Sequence, residues 1–170
     1  SNENQVREEL LKENMAPVFL DDDDLELYYL GFSNQTLWPA FHYFVQYIQY
    51  DEAQWQAYVV ANRKFADAIV ELADDETRIW IHDYQLFLVP QMLREVLPKA
   101  SIGFFQHIPF PSYEIFRMLP WRKELLQGVL GSDFLGFHTY DDMRHFLSSV
   151  HRLTDYDYRN NTITVDGRLI

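Results

Sequence analysis

The chain has 170 residues, of which 48% are hydrophobic and 16% aromatic, enough to build one domain with its own core. Its formal net charge of -12 argues against nucleic acid or an anionic membrane surface as a partner, because both require a basic face. The sequence contains no cysteine, no apolar run of the roughly 18 residues that span a membrane, and no signal peptide pattern. We therefore expect a cytoplasmic, soluble protein.

The first part of the chain predicts a helix, QVREELLKEN, and then a short strand, APVFL. Four acidic residues, Asp21 to Asp24, follow this strand. A calcium loop would need alternating ligands and a glycine, so a solvated helix N-terminus, where the helix dipole favours acids, is the better interpretation. From Asp51, a capping residue with Gln54 three positions on, apolar residues at helical spacing predict a long helix that ends at ADDET.

Strands and helices alternate after this helix. RIWIHD, SIGFFQHI and DFLGFH are predicted strands, and TITVDGRLI is a predicted hairpin with an Asp-Gly turn. The helices between them are LFLVPQMLREVLPKA, PSYEIFRMLPWRKELLQGVLG with a break at Pro120, and TYDDMRHFLSSVHRLT with Thr139 as its cap. This order predicts an α/β fold with a Rossmann-like parallel sheet, covered by helices on both faces.

Polar residues stand at the carboxyl ends of the three predicted strands. His82 and Asp83 end the first strand, His107 the second and His138 the third. Ligands of open parallel sheets bind outside these ends, so we expect the four side chains to meet in one crevice. The alternative is that each residue only caps the following helix. His138 is the weakest of the four candidates, because Thr139 is the better cap.

Other common kinds of site are not supported by the sequence. The histidines show neither the i, i+4 pairing nor the short spacing of a zinc site, and His145 and His151 would lie on different faces of one helix. No Gly-x-Ser-x-Gly elbow of a serine hydrolase is present, and no glycine-rich phosphate loop of either common type. We therefore expect no metal.

Aromatic residues are concentrated in YYLGFSNQTLWPAFHYF, which includes Tyr29 and Trp38. Sugars stack on aromatic rings, while tyrosine hydroxyl and indole N–H groups donate hydrogen bonds to them. Packing in the core is the simpler explanation of such a block. Pro39 and the Ser33-Asn34 pair indicate a loop or a broken helix here, which favours a binding site.

Four of these segments together carry a family resemblance. FSNQTLWPAFHY, WIHDYQLFLVPQMLRE, IGFFQHIPFPSYEIFRMLP and DFLGFHTYDDMRHFL closely resemble the trehalose-6-phosphate synthase family from about Pro17 onward. Members of this family transfer glucose from UDP-glucose to glucose 6-phosphate with retention of the α configuration. The resemblance implies that residues 1–170 form part of the N-terminal, acceptor-side domain of a two-domain, B-type glycosyltransferase, whose C-terminal donor-binding domain is absent from this sequence.

The resemblance also assigns roles to individual residues. It places Tyr29 and Trp38 at the phosphate of the acceptor, Asp83 at the acceptor hydroxyls near the reacting centre, and His107 beside the donor glucose. His82 receives no such role, and we expect it to be structural or supporting. Asp83 as a covalent nucleophile is an alternative, but no second suitably placed carboxylate is evident, and the family is thought to use front-side attack.

The resemblance leads to further expectations. The arginine and the glycine-rich loop that begin the family's domain are not present, so we expect the chain alone to be inactive. We expect glucose 6-phosphate and UDP-glucose as ligands and no cofactor, while a phosphatase domain or subunit and a homo-oligomer stay open. A sugar-phosphate-sensing or regulatory subunit without catalysis is the alternative, and a purely structural fragment is a third.

Overall fold

The computed structural model describes residues 2–170. The α-helices are α1 (Asn2–Lys12), α2 (Asp22–Asp24), α3 (Trp38–Phe41), α4 (Glu52–Val70), α5 (Val89–Val96), α6 (Tyr113–Phe116), α7 (Arg122–Val129) and α8 (Tyr140–Leu153). The strands are β1 (Arg78–His82), β2 (Ser101–Phe105), β3 (Phe134–Gly136), β4 (Tyr158–Arg159), β5 (Thr162–Val165) and β6 (Arg168–Leu169). A π-helix covers Leu25–Leu37, and 3-10 helices cover Val45–Tyr47 and Tyr84–Leu86. Among these helices, none has the length and apolar character needed to cross a bilayer.

The main sheet has three parallel strands in the order β1-β2-β3, joined by helical connections. Arg78 is opposite Ser101, and Gly103 is opposite Phe134. The predicted α/β fold with its parallel sheet is therefore confirmed. The predicted hairpin is confirmed as well, because β5 and β6 pair antiparallel around a turn in which Asp166 and Gly167 both have positive φ.

Two predicted helix starts are confirmed by their capping bonds. The Asp51 carboxylate accepts hydrogen bonds from the backbone N–H groups of Ala53 and Gln54, at 2.7 and 3.1 Å, at the start of α4. The Thr139 hydroxyl accepts from the N–H of Asp142 at 3.1 Å at the start of α8. Each bond satisfies a donor that has no partner within the helix, which fixes where these helices begin.

The core lies between one face of the sheet and the helices α4, α5 and α7. Side chains that alternate along the strands point into it, and the helices add their apolar faces. Fully buried members include Ile102, Phe104, Tyr58, Leu93 and Leu125. Ring contacts such as Phe87 with Phe104, whose centroids are 5.4 Å apart, connect the sheet to the connection after β1.

The opposite face of the sheet is open, so the prediction of a sheet covered on both faces is wrong for residues 2–170. Trp80 on β1 and Phe134 on β3 are 51% and 58% exposed. Their rings stack 5.9 Å apart across Gly103 of β2. A Cβ atom on Gly103 would lie 2.1 Å from the Trp80 ring, so glycine is what allows the two rings to meet. We name these three residues the open face.

The first forty residues differ from their prediction in three respects. The segment predicted as the strand APVFL, residues 16–20, has no regular secondary structure, because no described strand pairs with it. The aromatic block is a continuous π-helix followed by α3. The four acidic residues do begin a helix, capped by Asp21, but Asp24 is buried and pairs with Lys64, so this N-terminus is only partly solvated.

Candidate functional site

The carboxyl ends of the three parallel strands bring three histidines together, as the sequence predicts. His82 is the last residue of β1, and its Nδ1 lies 2.8 Å from Nε2 of His107, which follows β2. The His107 ring is 5.7 Å from the ring of His138, which follows β3. Phe105 packs between them, 4.7 Å from His107 and 5.2 Å from His138. Convergence of the strand ends on one site is therefore confirmed.

Asp83 joins the same group through its carboxylate. Its Oδ1 accepts hydrogen bonds from the backbone N–H of Tyr84 at 3.0 Å and of His107 at 3.2 Å. Its Oδ2 accepts none from residues 2–170, so one carboxylate oxygen is left for a ligand. Tying the N–H of His107 to Asp83 also fixes the distance between the two predicted catalytic residues.

The backbone of Asp83 is strained. Its φ is 74° and its ψ is 171°, a region that is almost exclusive to glycine. A non-glycine residue held there costs on the order of 1–3 kcal/mol, and such residues are concentrated at active sites and ligand-binding sites. Residues 2–170 include other non-glycine residues at positive φ, but Asp83 is the one at a strand end of the main sheet.

Buried polar side chains on α4 hold the connection after β1 in place. The Tyr58 hydroxyl donates to the carbonyl of Tyr84 at 2.6 Å and accepts from the N–H of Phe87 at 3.1 Å. The Asn62 amide donates to the carbonyl of Gln85 at 3.0 Å and accepts from the N–H of Leu88 at 3.1 Å. Burial raises the pKa of Tyr58 well above its ordinary value. These bonds fix the segment that begins with the strained residue.

The π-helix that carries Tyr29 is bound to this same connection. The Tyr28 hydroxyl donates to the carbonyl of Gln85 at 3.2 Å, and the Tyr84 hydroxyl donates to the side chain of Asn34 at 2.9 Å. Burial, Tyr29 and Asp83 together raise the pKa of the Tyr84 hydroxyl from 10.0 to about 12. The two hydrogen bonds hold the π-helix against the connection that follows Asp83.

Tyr29 and His82 share the wall of an apolar cavity of about 300 Å³. Leu20, Leu25, Tyr28, Phe65, Gln85 and Leu86 complete its lining. Tyr29 is 41% exposed, and its hydroxyl forms no hydrogen bond with the described residues. The cavity therefore has one member of the histidine group, His82, in its wall and carries a free donor, the Tyr29 hydroxyl.

Trp38 lies at the first position of α3, where its ring stacks on His42 at 4.1 Å and on Phe44 at 5.9 Å. It is 39% exposed, and its indole N–H has no acceptor within residues 2–170. The described contacts join Trp38 to its aromatic neighbours and do not join it to Asp83. The structure thus brings Asp83 and His107 together, brings Tyr29 to the neighbouring cavity, and leaves Trp38 as a separate exposed donor.

The bond between His82 and His107 is the feature that sequence reasoning missed. His82 is opposite Phe105 in the register of β1 and β2, and side chains two positions apart in an extended strand point to the same face. This alternation was the available signal, since it places His82, Phe105 and His107 on one face. The hydrogen bonds of Tyr58 and Asn62 could not be predicted from the sequence in this way, because their partners are backbone groups, which every residue has.

Comparison with known proteins identifies the family of this chain. The family model described as glycosyltransferase family 20 matches residues 1–170. The chain is 50% identical over 170 residues to the alpha,alpha-trehalose-phosphate synthase [UDP-forming] 1 of Aspergillus niger, covering 97% of this chain and 33% of that protein. The chain therefore spans about a third of the length of the curated relatives it matches.

Solved structures agree with this result. The alpha,alpha-trehalose-phosphate synthase of Burkholderia xenovorans in complex with glucose-6-phosphate is 37% identical, with a TM-score of 0.85 over 91% of this chain and 35% of that one. An E. coli structure described as trehalose-6-phosphate bound with UDP-2-fluoro glucose is 40% identical, with a TM-score of 0.84 over 89% of this chain and 34% of that one. The resemblance in the four segments is confirmed over the whole chain, and the protein belongs to glycosyltransferase family 20.

Proposed function

We propose that this chain supplies the acceptor side of an enzyme that transfers glucose from UDP-glucose to glucose 6-phosphate, forming trehalose 6-phosphate and UDP. The observation that carries the proposal is Asp83, held in a strained backbone conformation beside His107 with one carboxylate oxygen free. The relatives named above are UDP-forming trehalose-phosphate synthases, and the B. xenovorans structure contains glucose-6-phosphate.

The free oxygen of Asp83 suits a sugar acceptor. A carboxylate forms strong hydrogen bonds with the hydroxyl groups of a sugar, because the carboxylate is charged. Oδ1 is already occupied by the backbone of Tyr84 and His107, so the orientation of Oδ2 is fixed before a ligand arrives. Because Oδ2 is already fixed, it loses little freedom when the sugar binds, and it can hold the attacking hydroxyl of the sugar in position.

Transfer with retention would then proceed mainly by positioning. The acceptor hydroxyl attacks the anomeric carbon from the face that the UDP leaves, and the bond to the diphosphate breaks as the new glycosidic bond forms. The hydroxyl proton passes to the departing phosphate oxygen, which balances the step. His107 lies beside Asp83, where a neighbouring sugar would be in reach of its ring. Fixed polar groups of this kind stabilise the oxocarbenium-like transition state.

The phosphate of the acceptor would be bound through neutral donors. The overall charge of -12 repels a phosphate dianion, so local donors must supply the attraction. The Tyr29 hydroxyl and the Trp38 indole N–H are both partly exposed and without partners in residues 2–170. These two groups are the proposed phosphate contacts of this chain, together with arginine from elsewhere in the parent protein.

Substitution of Asp83 in the parent enzyme tests the central role. Asp83→Ala should lower kcat/KM for transfer by about 10²–10⁴-fold, because the acceptor loses its orientation. Glu95→Ala is the control, since Glu95 is exposed in the last turn of α5, at the end remote from the strand ends that hold Asp83. Release of UDP from UDP-glucose and glucose 6-phosphate measures both variants, and near-normal transfer by Asp83→Ala would refute the role.

Trp38→Phe tests phosphate recognition separately. The substitution keeps an aromatic ring for the stack on His42 but removes the indole N–H. The KM for glucose 6-phosphate should rise by about 10–150-fold, as expected for one lost hydrogen bond to a charged group, which contributes about 1.5–3 kcal/mol. Unphosphorylated glucose, used as a poor acceptor, should be unaffected. Equal losses for both acceptors would mean that Trp38 acts on the sugar or the fold and not on the phosphate.

The remaining expectations stay predictions of the family resemblance. They are no cofactor and an inactive isolated chain, while a phosphatase domain or subunit and a homo-oligomer stay open; the cytoplasmic location stays a prediction from composition. UDP release by the 170-residue chain alone and the mass of the assembled parent are the direct measurements. A parent that binds glucose 6-phosphate without transferring glucose would instead support the sensing subunit.

A further inference from the structure

The contact between His82 and His107 supports a role for His82 that goes beyond the sites assigned so far. We propose that His82 is a positioning residue that fixes both the ring orientation and the tautomer of His107. The inference rests on the proposed function for its catalytic meaning, but the contact itself is a property of this chain. Nδ1 of His82 and Nε2 of His107 are 2.8 Å apart, within hydrogen-bonding distance.

Two rings pack against the exposed ring of His107 and limit its movement. Phe105 packs against it at 4.7 Å and His138 at 5.7 Å, both from the carboxyl ends of neighbouring strands. The backbone N–H of His107 is bound to Asp83, which limits movement of the main chain. Ring packing of this kind does not distinguish the two flipped orientations of an imidazole, because they have nearly the same shape. The hydrogen bond to His82 does distinguish them, since only one places Nε2 toward Nδ1 of His82.

The same bond determines where the protons are. Two ring nitrogens at 2.8 Å must share one proton, because two lone pairs or two N–H groups would repel. If His107 donates, both neutral rings carry their proton on Nε2, the tautomer that free histidine prefers. If His82 donates, both rings carry it on Nδ1, the less favoured tautomer. We therefore assign His107 as the donor and His82 as the acceptor.

This assignment leaves a defined atom for the ligand. Nδ1 of His107 is then an unprotonated acceptor, and it has no partner among residues 2–170. A sugar hydroxyl beside Asp83 can donate to it, just as another hydroxyl donates to Oδ2 of Asp83. In neutral imidazoles, the hydrogen bond at one nitrogen sets the role of the other, and His82 provides that bond here.

Long-range 15N–1H NMR of the imidazoles in the 170-residue chain tests the assignment. The spectra are recorded at about pH 8.5, well above the range where an ordinary histidine is protonated. His107 should show a protonated Nε2 and an unprotonated Nδ1. His82→Ala should shift His107 toward the averaged tautomers of a solvent-exposed ring. His82→Asn should restore the native pattern, because its amide oxygen stands near the former Nδ1.

A matched control separates the bond from general packing. His138→Ala removes a ring that packs on His107 without a hydrogen bond, so the His107 tautomer should stay the same. Backbone amide spectra confirm that each variant is folded. A His107 ring protonated on Nδ1 in the native chain, or one unchanged in His82→Ala, would overturn the proposal, and neither outcome depends on activity.

The catalytic consequence is measured in the parent enzyme. His82→Ala should lower kcat by about 10–100-fold with a smaller change in KM, because a misplaced group affects the transition state most. His82→Asn should recover most of this loss, whereas a merely structural role would give no such rescue. If the NMR result holds and the parent does not transfer glucose, the proposed function fails while the histidine pair stands. If transfer occurs but the NMR result fails, only the role of His82 is wrong.

Discussion

Replacing Asp83 with glycine separates the strain of the backbone from the work of the side chain. Asp83→Gly and Asp83→Ala lose the same two bonds, to the N–H groups of Tyr84 and His107. They differ in that alanine stays strained at a φ of 74°, whereas glycine does not. Relief of strain favours glycine by about 1–3 kcal/mol. The greater freedom of glycine in the unfolded chain opposes this by about 0.4–1 kcal/mol.

The glycine variant should therefore be more stable than the alanine variant, by about 1.3 kcal/mol at the midpoints of these ranges and by about 2.6 kcal/mol at most. Urea unfolding of both variants of the chain measures this difference directly. In thermal unfolding the midpoint difference corresponds to roughly 3–5 °C, because 1 kcal/mol shifts Tm by about 2–4 °C in a domain of this size. Both variants should show the same loss of transfer in the parent, about 10²–10⁴-fold in kcat/KM, since both lack the carboxylate.

Asp157 provides the matched control. Its carboxylate also accepts from the N–H of the next residue, Tyr158 at 3.3 Å, but its φ is not positive. Without strain to relieve, Asp157→Gly should be less stable than Asp157→Ala, so the sign of the difference reverses between the two sites. An Asp83→Ala variant at least as stable as Asp83→Gly would show that the strain argument is wrong.

Three further predictions concern the fold that supports the site. Arg94→Ala should destabilise the chain by about 2–4 kcal/mol in urea unfolding, because Arg94 binds Asp133 at 2.6 Å and three backbone carbonyls; a change below about 0.5 kcal/mol would contradict this. Gly131→Ala should cost about 1–3 kcal/mol or more, since its Cβ would lie 2.3 Å from the backbone nitrogen of Gln91, and an unchanged unfolding midpoint would be inconsistent with that contact. Stability should fall as pH rises from about 10 to about 12, because the pKa of Tyr84 is higher in the folded than in the unfolded chain and the unfolded state therefore loses its proton first. Ultraviolet titration of tyrosinate with and without Tyr84→Phe checks this. The stability of the variant should fall less steeply with pH than that of the native chain.

Local chemistry explains which parts of the fold the sequence predicts. Asp51 and Thr139 are correct caps because capping needs only a side-chain oxygen and the next three residues. The convergence of His82, Asp83 and His107 also follows from the sequence, because carboxyl ends of parallel strands must share an edge. Both inferences use rules that hold without knowledge of distant partners.

The errors arise where a distant partner decides the outcome. The prediction of a strand at residues 16–20 is wrong because a β-strand needs a neighbouring strand, and apolar composition alone does not supply one. The prediction of a sheet covered on both faces fails in the same way. Apolar strands predict burial, but the strand sequence does not show which element covers each face. The backbone strain at Asp83 could not be predicted from the sequence either. Glycine is the residue normally found in that region of φ and ψ, and an aspartate gives no indication of it.

The open face has a consequence for handling the chain in solution. Trp80 and Phe134 present adjacent apolar rings to water on a sheet whose outer strands have no described neighbour, the kind of surface on which molecules stick to one another. The charge of -12 opposes such clustering through mutual repulsion between molecules. Dissolved salt shortens the reach of that repulsion to roughly 10 Å at 0.1 M and 3 Å at 1 M. The colloidal stability of this chain should thus be greatest in dilute buffer and should decline as sodium chloride is added.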